Sequence, residues 1–197
     1  MKTNFFLLFC IIFQFSFAQE TENNIIKFNP KVSFGPQTQY FFGNNYLSRG
    51  HKNPSIGVEL DFQIMSYSKF NLGIGAKKTT LSVVNKAIGG NIDKSNLNLW
   101  YGFISYILYK KNKILVSPQF SLGEIYIRQK DGSKLYGVQK GNHFSIDIKS
   151  IFLINKNFKV YSKIGFTEFF LRTKTSKEFE NYFNQTHSIN LSLGLEF

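Results

Sequence analysis

The residues that come nearest to a catalytic pattern are His143 and Ser145, two positions apart in His143-Phe144-Ser145. Acyl transfer needs a hydroxyl nucleophile, a histidine base and an orienting carboxylate within hydrogen-bonding reach of one another. His143 and Ser145 share one face of a predicted strand, whereas Glu168, the nearest carboxylate on the next strand, points to the other face. We therefore expect no triad, and lipid hydrolysis stays an alternative function only.

Other side chains capable of chemistry are sparse. His187 and Ser188 are adjacent, so on a strand they face opposite ways. The sole cysteine, Cys10, follows Phe9, whereas a lipoprotein cysteine needs a small residue before it. The sequence contains no phosphate-binding glycine loop, no carboxylate cluster at metal-binding spacing and no histidine cluster. We therefore expect neither cofactor nor metal, and no catalysis.

The first 18 residues have the features of a cleaved signal peptide. Lys2 supplies the positive start, residues 5–17 are almost wholly apolar, and Ser16-Phe17-Ala18 is a small-x-small cleavage site. The apolar run is shorter than the about 20 residues of a membrane-spanning helix. The predicted domains are a signal peptide (1–18), a short periplasmic segment (19–30) and a single folded domain (31–197).

The folded domain shows apolar and polar residues in alternation, the mark of strands with two different faces. The clearest segment is 187–197, in which five apolar residues alternate with five small or polar ones: Ile189, Leu191, Leu193, Leu195 and Phe197 against Ser188, Asn190, Ser192, Gly194 and Glu196. Seven more strands are predicted at 31–42, 56–64, 70–84, 96–109, 116–123, 144–154 and 160–170. The predicted fold class is all-β.

The connections between these strands are of two kinds that alternate along the chain. The short polar ones are 66–69, 110–113 and 155–157, and the longer ones are 43–54, 85–95, 129–142 and 173–186. Turns at one end and loops at the other are typical of bacterial outer-membrane barrels. We predict an eight-stranded antiparallel up-and-down barrel.

Alternation does not say which face is outside, and a soluble lipocalin-like barrel would turn its apolar face inward. The polar face carries charges of both signs that could pair inside a narrow lumen: Glu59, Asp61, Asp147, Lys149, Lys163 and Glu196. It also carries glycines: Gly57, Gly73, Gly75, Gly102, Gly123, Gly165 and Gly194. The apolar face lacks charges over about ten residues, the length that crosses a membrane. We therefore predict a transmembrane barrel with its apolar face to lipid.

The same rule assigns the faces of individual residues. In 96–109 it turns Leu97, Leu99, Tyr101 and Phe103 outward and places Trp100 inward, about opposite Gly123. Lys149 should lie opposite Lys163, and because like charges repel we expect an inward carboxylate between them.

Three places break the regular pattern. Pro36 and Pro118 lie within predicted strands, where each removes a donor from the ladder, so we expect bulges there. Lys77-Lys78 interrupts the alternation of its strand. At that point we expect a bulge, a snorkelling Lys78 or a change of register.

Over about residues 30–197 the chain resembles the small OmpA/OmpX-type outer-membrane β-barrels. The resemblance rests on the leader, the eight alternating segments and the terminal Phe197 preceded by Leu195 and Leu193. It implies that these three residues form a signal read by the barrel assembly machinery. The Ala18-Gln19 junction and the Asn, Lys, Ile and Phe bias resemble sequences from Bacteroidota. His143-Phe144-Ser145 is similar to the His-x-Ser of a lipid A deacylase family, but Ile146 replaces that family's Asn.

The net charge of +12 indicates anionic partners. Basic residues crowd the predicted loops, and six are candidate contacts to lipopolysaccharide: Arg49, Lys52, Arg128, Lys130, Arg172 and Lys174. The predicted signal peptide argues against nucleic acid as the partner.

The function predicted from sequence is that of a small, monomeric, integral outer-membrane barrel with a structural, adhesive or surface-interaction role. The alternatives are a lipid A-modifying hydrolase and a barrel subunit of an envelope or secretion complex. A diffusion pore is disfavoured because side chains can fill an eight-stranded interior.

Overall fold

The computed structural model describes residues 26–89, 91–155 and 158–197, and strands dominate them. The strands are β1 (Ile26–Phe42), β2 (Ser55–Tyr67), β3 (Phe70–Ser82), β4 (Lys94–Tyr106), β5 (Tyr109–Lys111), β6 (Ile114–Asp131), β7 (Lys134–Leu153), β8 (Lys159–Leu171) and β9 (Gln185–Glu196). The short helices are α1 (Tyr46–Gly50), α2 (Lys86–Gly89), a 3-10 turn (Lys177–Phe179) and α3 (Glu180–Asn184).

The predicted signal peptide lies outside the described residues. β1 begins at Ile26, inside the 19–30 segment that was expected to precede the barrel. No helix among the described residues is long and apolar enough to cross a membrane.

Eight strands form a closed ring, and every neighbouring pair in it is antiparallel. Successive strands pair in chain order, β9 pairs with β1, and β4 pairs directly with β6. β5 is a three-residue strand that pairs with the start of β6 beyond the end of β4. A sheet that closes on itself is a barrel, so the predicted all-β up-and-down architecture is confirmed.

The strands are strongly tilted. Starting at Val32, the pairing runs through Phe62, Ile74, Gly102, Leu122, Phe144, Glu168 and His187 and returns to β1 at Phe42, ten residues further along. A displacement of this size corresponds to a tilt of roughly 40°, in the usual range for barrels of this strand number.

The predicted short turns lie at one end of the ring and the long loops at the other. Three of the four predicted long connections are present. At the turn end, two-residue turns join β2 to β3 and β5 to β6, with Ser68 and Asn112 at φ 52° and 51°. At the loop end, residues 43–54, 83–93 and 172–184 form longer connections that contain the short helices.

The predicted loop at 129–142 is wrong. β6 and β7 continue as a hairpin to the pair Asp131 and Lys134, and Gly132 adopts a φ of 55° in the two-residue turn. Gly132 is the first of the two turn residues, a position that favours glycine because its φ is positive. This hairpin projects beyond the β7–β8 pairing, which ends at Gly141 and Leu171.

Over most of the turn-side part of the ring, the faces are as predicted. Each ring strand exposes at least one large apolar side chain on its outer face: Phe34, Leu60, Ile74, Ile104, Leu122, Ile148, Ile164 and Leu191. Polar side chains face inward, and Glu59 and Asp61 are almost completely buried. We call this part of the ring the belt zone. On β9 it runs from Ile189 to Phe197, a rise of roughly 20 Å at this tilt.

The predicted faces of β4 are wrong. Leu97, Leu99, Tyr101 and Phe103 are buried inside the ring, whereas Trp100 is 63% exposed on the outer face. Trp100 pairs with Glu124, and Gly123 pairs with Tyr101. Gly102, also expected inside, is exposed on the outer face beside Trp100.

The error on β4 has a physical reason. Polar residues appear on the outer face of the ring at one level: Lys78, Asn98, Glu124, Asn142 and Glu168. Beyond them, toward the loops, polar side chains predominate on the outer faces of β3, β4 and β6, although Ile56 and Phe170 are exposed there. The interior at this end contains an apolar core in which Leu97, Ile125 and Ile127 are fully buried. We call this part the loop zone. β4 crosses both zones, so a single rule of apolar residues outward cannot describe it.

The bulges expected at Pro36 and Pro118 and the bulge or register change offered at Lys77-Lys78 are wrong, whereas the third alternative, a Lys78 on the outer face, agrees with its exposed side chain. The register does not shift at Pro36, Pro118 or Lys77-Lys78, and Lys77 points inward while Lys78 points outward in regular alternation. The shifts lie instead between Phe28 and Lys31, between Gln63 and Met65, and between Gln129 and Lys130. The prolines fit without bulges because the β1–β9 pairing skips Gly35 and Pro36, and the β4–β6 pairing ends at Gln119.

Candidate functional site

An ionic cluster fills the middle of the ring. Lys163 on β8 forms ion pairs with Glu59 and, at 2.8 Å, with Asp61, both on β2. The Tyr101 hydroxyl donates to Asp61 at 2.6 Å. Lys77 lies 3.8 Å from Glu59. Each buried charge therefore has an opposite charge beside it, which offsets the cost of removing it from water.

A second cluster lies nearer the turn end around Glu196. Its carboxylate pairs with Lys149 at 2.8 Å and Lys159 at 3.3 Å, and the Ser33 hydroxyl donates to it at 3.1 Å. Lys149 and Lys163 are opposite one another in the β7–β8 register. Each binds its own carboxylates, so the like charges are separated by their partners rather than by one shared group.

Asp147 is the sixth residue of the predicted lumen network, and the structure does not join it to the others by a hydrogen bond. It faces inward and is 1% exposed, yet neither carboxylate oxygen has a hydrogen-bonding partner among the described residues. Its side chain lies over Gly165 of β8, so closely that a Cβ at that position would fall 1.8 Å from its Oδ1.

Uncharged polar side chains form a hydrogen-bonded chain across the interior. It runs from Gln37 through Thr79, Gln39, Ser188, Asn190 and Thr167 to Ser145, with distances of 2.6–3.3 Å. Aromatic rings occupy the space that remains, since Tyr101 and Phe103 lie against Gly75 and Gly73. The lumen is therefore filled by side chains, with a cavity of only about 30 Å³ near the turn end.

The histidine and serine of the acyl-transfer hypothesis are not assembled into a triad. Ser145 shares its hydrogen bond with Thr167, and the His143 ring contacts the rings of Tyr101 and Phe169. Glu168 lies on the outer face and accepts a hydrogen bond from Gln185 at 2.7 Å. Within the described ranges, His, Cys, Asp and Glu side chains form no group of three or more that could hold a metal ion.

The loop end of the interior is closed by an apolar plug that sequence reasoning missed. α1 turns Tyr46 and Leu47 into the ring, where both are almost fully buried, and Tyr182 and Phe183 of α3 pack against the same cluster. We call these four residues the mouth plug. Their signal in the sequence is the adjacent Tyr46 and Leu47 in an otherwise polar loop.

Polar contacts hold the mouth plug in place. Asn45 caps α1 by accepting from the Ser48 backbone N–H at 2.9 Å, and the Tyr46 hydroxyl contacts Gln139 of β7. His51 Nε2 lies 2.9 Å from the Ser95 hydroxyl. Burial raises the pKa of Tyr46 and lowers the pKa of His51, because both groups would have to ionise away from water.

The candidate lipopolysaccharide contacts all lie at the loop end. Arg49, Lys52, Arg128, Arg172 and Lys174 are exposed, and Lys130 is half-buried. They are spread over the first loop, the β6–β7 hairpin and the last loop. We call these six residues the basic rim.

The predicted assembly residues share the outer face of β9. Leu193 and Phe197 are exposed, and Leu195 is half-buried. The backbones of Phe197 and Val32 exchange hydrogen bonds of 3.0 and 3.3 Å at the point where the last strand meets the first. The Phe197 ring packs against Phe158 at 5.9 Å.

Solved structures share this architecture. Neisserial surface protein A superposes with a TM-score of 0.60 at 8% identity, over 87% of this chain and 97% of that one. Ail of Yersinia pestis, the attachment invasion locus protein, was solved with the heparin analogue sucrose octasulfate; it gives 0.52 at 9% identity, over 85% and 97%. OprG of Pseudomonas aeruginosa, an outer membrane protein, gives 0.52 at 12%, over 85% and 93%.

The fold is that of small outer-membrane β-barrels. No protein-family profile and no curated protein sequence matches the chain. At these identities the likeness concerns the fold alone.

Proposed function

We propose that this protein is a small integral outer-membrane barrel that acts through its outer surface and not by catalysis or conduction. The observation that carries the proposal is the belt zone, where apolar side chains surround the whole ring while charged ones fill its interior. In water such a belt would far exceed the few hundred Å² of apolar patch that soluble proteins expose. In a bilayer it is the required surface, close to the apolar band of about 25 Å on known barrels.

The interior supports a role without transport. Ion pairs, the hydrogen-bonded chain and aromatic rings fill the belt zone, and the mouth plug closes the loop end. An ion crossing this ring would have to displace paired charges and then pass an apolar core, where burying a charge is costly. We infer that the lumen is a structural element.

The basic rim is the proposed contact surface. These side chains lie at the loop end, which in the proposed placement is the level of lipopolysaccharide phosphates, and clustered Lys and Arg attract such groups. Ail, which shares the fold, binds a sulfated saccharide analogue. We propose anionic saccharide groups as the ligands: phosphates of lipopolysaccharide in the same membrane or sulfates on another surface.

The proposal includes the route to the membrane. Residues 1–18 are the proposed signal peptide of a Gram-negative, Bacteroidota-like source, and Leu193, Leu195 and Phe197 are the proposed signal for the barrel assembly machinery. Replacing Phe197 with Ala should lower the folded fraction in outer-membrane preparations, whereas Phe152→Ala, at another exposed turn-side position, should not. Equal losses for both variants would reject the signal.

The membrane placement is tested by purification. The full chain should require detergent, show β-rich circular dichroism and run as a heat-modifiable band on gels. A stable, detergent-free monomer in water would overturn the proposal.

The rim is tested by charge removal. In the full-length protein, Arg49, Lys52, Arg172 and Lys174 would all be changed to Gln, and binding to immobilised lipopolysaccharide and to heparin measured over a range of salt. We expect roughly tenfold weaker binding, since each basic contact is worth about 1 kcal/mol or less near such a surface. Changing Lys69, Lys110, Lys111 and Lys113 at the turn end is the matched control. Weakening in the lipopolysaccharide arm alone would assign the rim to the membrane itself.

A second candidate, a subunit of an envelope complex, is favoured by one observation. Residues 134–139 of β7 pair with β6 but lie beyond the β7–β8 pairing and beyond the Arg172-to-Lys140 backbone hydrogen bond that follows it, so one edge of the hairpin is free among the described residues. A free edge can accept an extended segment of a partner. A stable partner retained in mild detergent, and lost when residues 132–133 are replaced by a bulky glycosylated turn, would support this role.

A further inference from the structure

A groove crosses the outer face of β3 and β4 in the belt zone. Its central part is a cavity of about 460 Å³ lined mainly by Leu60, Phe62, Ile74, Ala76, Trp100 and Leu122. The groove exists because two outward positions, Ala76 and Gly102, carry almost no side chain between bulky neighbours. At Gly102 an added Cβ would meet nothing nearer than the Gly73 carbonyl oxygen at 3.9 Å, so the floor is open.

The groove continues in both directions along the ring. Toward the turn end it passes Ile104 and Phe120, and toward the loop end it passes Val58 and ends at Lys78 and Asn98. It is therefore an elongated apolar channel on the lipid side with a polar end at the upper limit of the belt zone. Its volume lies in the range of ligand pockets, which is about 300–1,000 Å³.

Lys78 determines what kind of headgroup the polar end would accept. Its side chain is exposed on the outer face, and no ion pair to it is found within the described ranges. The nearest outward carboxylate by register is Glu124 on β6, which pairs with Trp100, lines the central part of the groove on that side and accepts a hydrogen bond from the Tyr126 hydroxyl at 2.5 Å. A negative headgroup would therefore be attracted to the β3 side of the groove and repelled from the β6 side.

We propose that this groove is a binding site for one acyl chain of a net-anionic phospholipid or glycolipid, with the headgroup phosphate bound by the Lys78 ammonium group. The inference rests on the proposed membrane placement and adds a specific lipid position to it. The site is separate from the basic rim, because Lys78 lies at the boundary of the belt zone and the rim lies on the loops and hairpin.

Trp100 makes the proposal directly measurable. It is the sole tryptophan of the chain, and it lines both the central and the loop-side parts of the groove. The full-length protein would be reconstituted in vesicles that contain phosphatidylglycerol or phosphatidylcholine brominated on the acyl chain. Because bromine quenches tryptophan fluorescence at contact, the quenching gives the relative occupancy of the groove by the two lipids.

We expect phosphatidylglycerol to be preferred over phosphatidylcholine roughly fivefold, the ratio expected for one basic residue at an anionic headgroup. Lys78→Gln should bring the ratio to about one. Gly102→Leu should fill the groove and lower quenching by both lipids, provided that the variant still runs as a folded band. Lys140→Gln in the loop zone and Ser162→Leu on the outer face of β8 are the matched controls and should change nothing.

The outcomes separate the two proposals. Equal quenching by both lipids in the unmodified protein, or a preference that survives Lys78→Gln, would overturn the lipid site and leave the membrane placement intact. No quenching by either lipid would overturn both, because Trp100 would then not face acyl chains.

Discussion

The belt zone and the loop zone are built from the same strands but follow opposite rules. In the belt zone Leu191 is exposed, and Glu59 is buried inside the ring. In the loop zone Leu97 is buried and Arg128 is outside. The strands pass from one rule to the other at the level of Lys78 and Glu124 without a break in register.

The difference shows that the surroundings of a strand decide its faces, while its backbone stays the same. In the proposed membrane placement, lipid contacts the outside of the belt zone, so polar groups are satisfied inside. Water contacts the outside of the loop zone in the same placement, so an apolar core forms in the interior there. One end of the barrel would then follow the rule of a membrane protein, and the other end the rule of a soluble protein.

The largest expected effect comes from breaking the belt-zone interior. Lys163→Met removes the cation between Glu59 and Asp61 and leaves two carboxylates with only Lys77 nearby. We expect the free energy of unfolding, from urea titration in phospholipid vesicles, to fall by about 3–5 kcal/mol. Lys69→Met in the exposed turn should leave it unchanged. A loss below about 1 kcal/mol would mean that the ion pairs are not the main support of this interior.

The loop-zone interior should respond like the core of a soluble protein. Leu97→Ala leaves a cavity in the interior of the loop zone, and we expect a loss of about 2–5 kcal/mol in the same titration. Leu191→Ala removes the same atoms from the outer face of the belt zone, where lipid can fill the space, so its loss should be smaller. Equal losses would argue against two environments.

The outer faces can be compared by adding a charge. Leu191→Arg places a cation near the middle of the belt, where the expected loss is about 2–4 kcal/mol. Asn96→Arg makes the corresponding change on the outer face of the loop zone, where we expect an effect within about 0.5 kcal/mol. If both substitutions cost the same, the boundary between the zones is misplaced.

The smallest effect should be a dependence of the mouth plug on pH. Burial lowers the pKa of His51 in the folded loop below the unfolded value of about 6.5. The unfolded loop therefore binds more protons, and the contribution of neutral His51 is present above pH 6.5 and is lost as the pH falls below it. After correction for the pH dependence of intrinsic exchange, the hydrogen-exchange protection of residues 43–54 should fall in that range, and His51→Gln should abolish this pH dependence of the protection. An unchanged profile in this variant would rule out His51 as the cause.

The sequence predicted the ring well where one rule holds along a whole strand. β2 and β9 alternate cleanly over their belt-zone residues, so the faces of Glu59 and Leu191 followed from period two. The faces of β4 could not be predicted in this way. Its odd-numbered residues from Leu97 in the loop-zone core to Phe103 in the lumen are all apolar and point inward. Asn96 and Asn98 on the even positions were the signal that the strand passes from the belt zone into the loop zone.

Two further features depend on information that local patterns lack. The pairing of Lys163 with Glu59 joins residues 104 positions apart and follows only from the register of the closed ring. Gly132 after Asp131 indicated a tight turn in the projecting hairpin. That indication was overlooked because the alternation of short and long connections predicted a loop over 129–142. The mouth plug depends on how far a loop folds back, and strand periodicity says nothing about that.

The mouth plug has an electrical consequence. Because Tyr46 and Leu47 fill the ring at the loop end, the buried ion pairs lie nearer to water at the turn end, where Lys159, the partner of Glu196, is partly accessible. If the turn end faces the periplasm, as the short turns of bacterial outer-membrane barrels do, the charged interior lies on the periplasmic side of the apolar core. Any voltage across the membrane would then fall mainly over the apolar core of the loop zone, because an apolar layer admits neither water nor mobile ions.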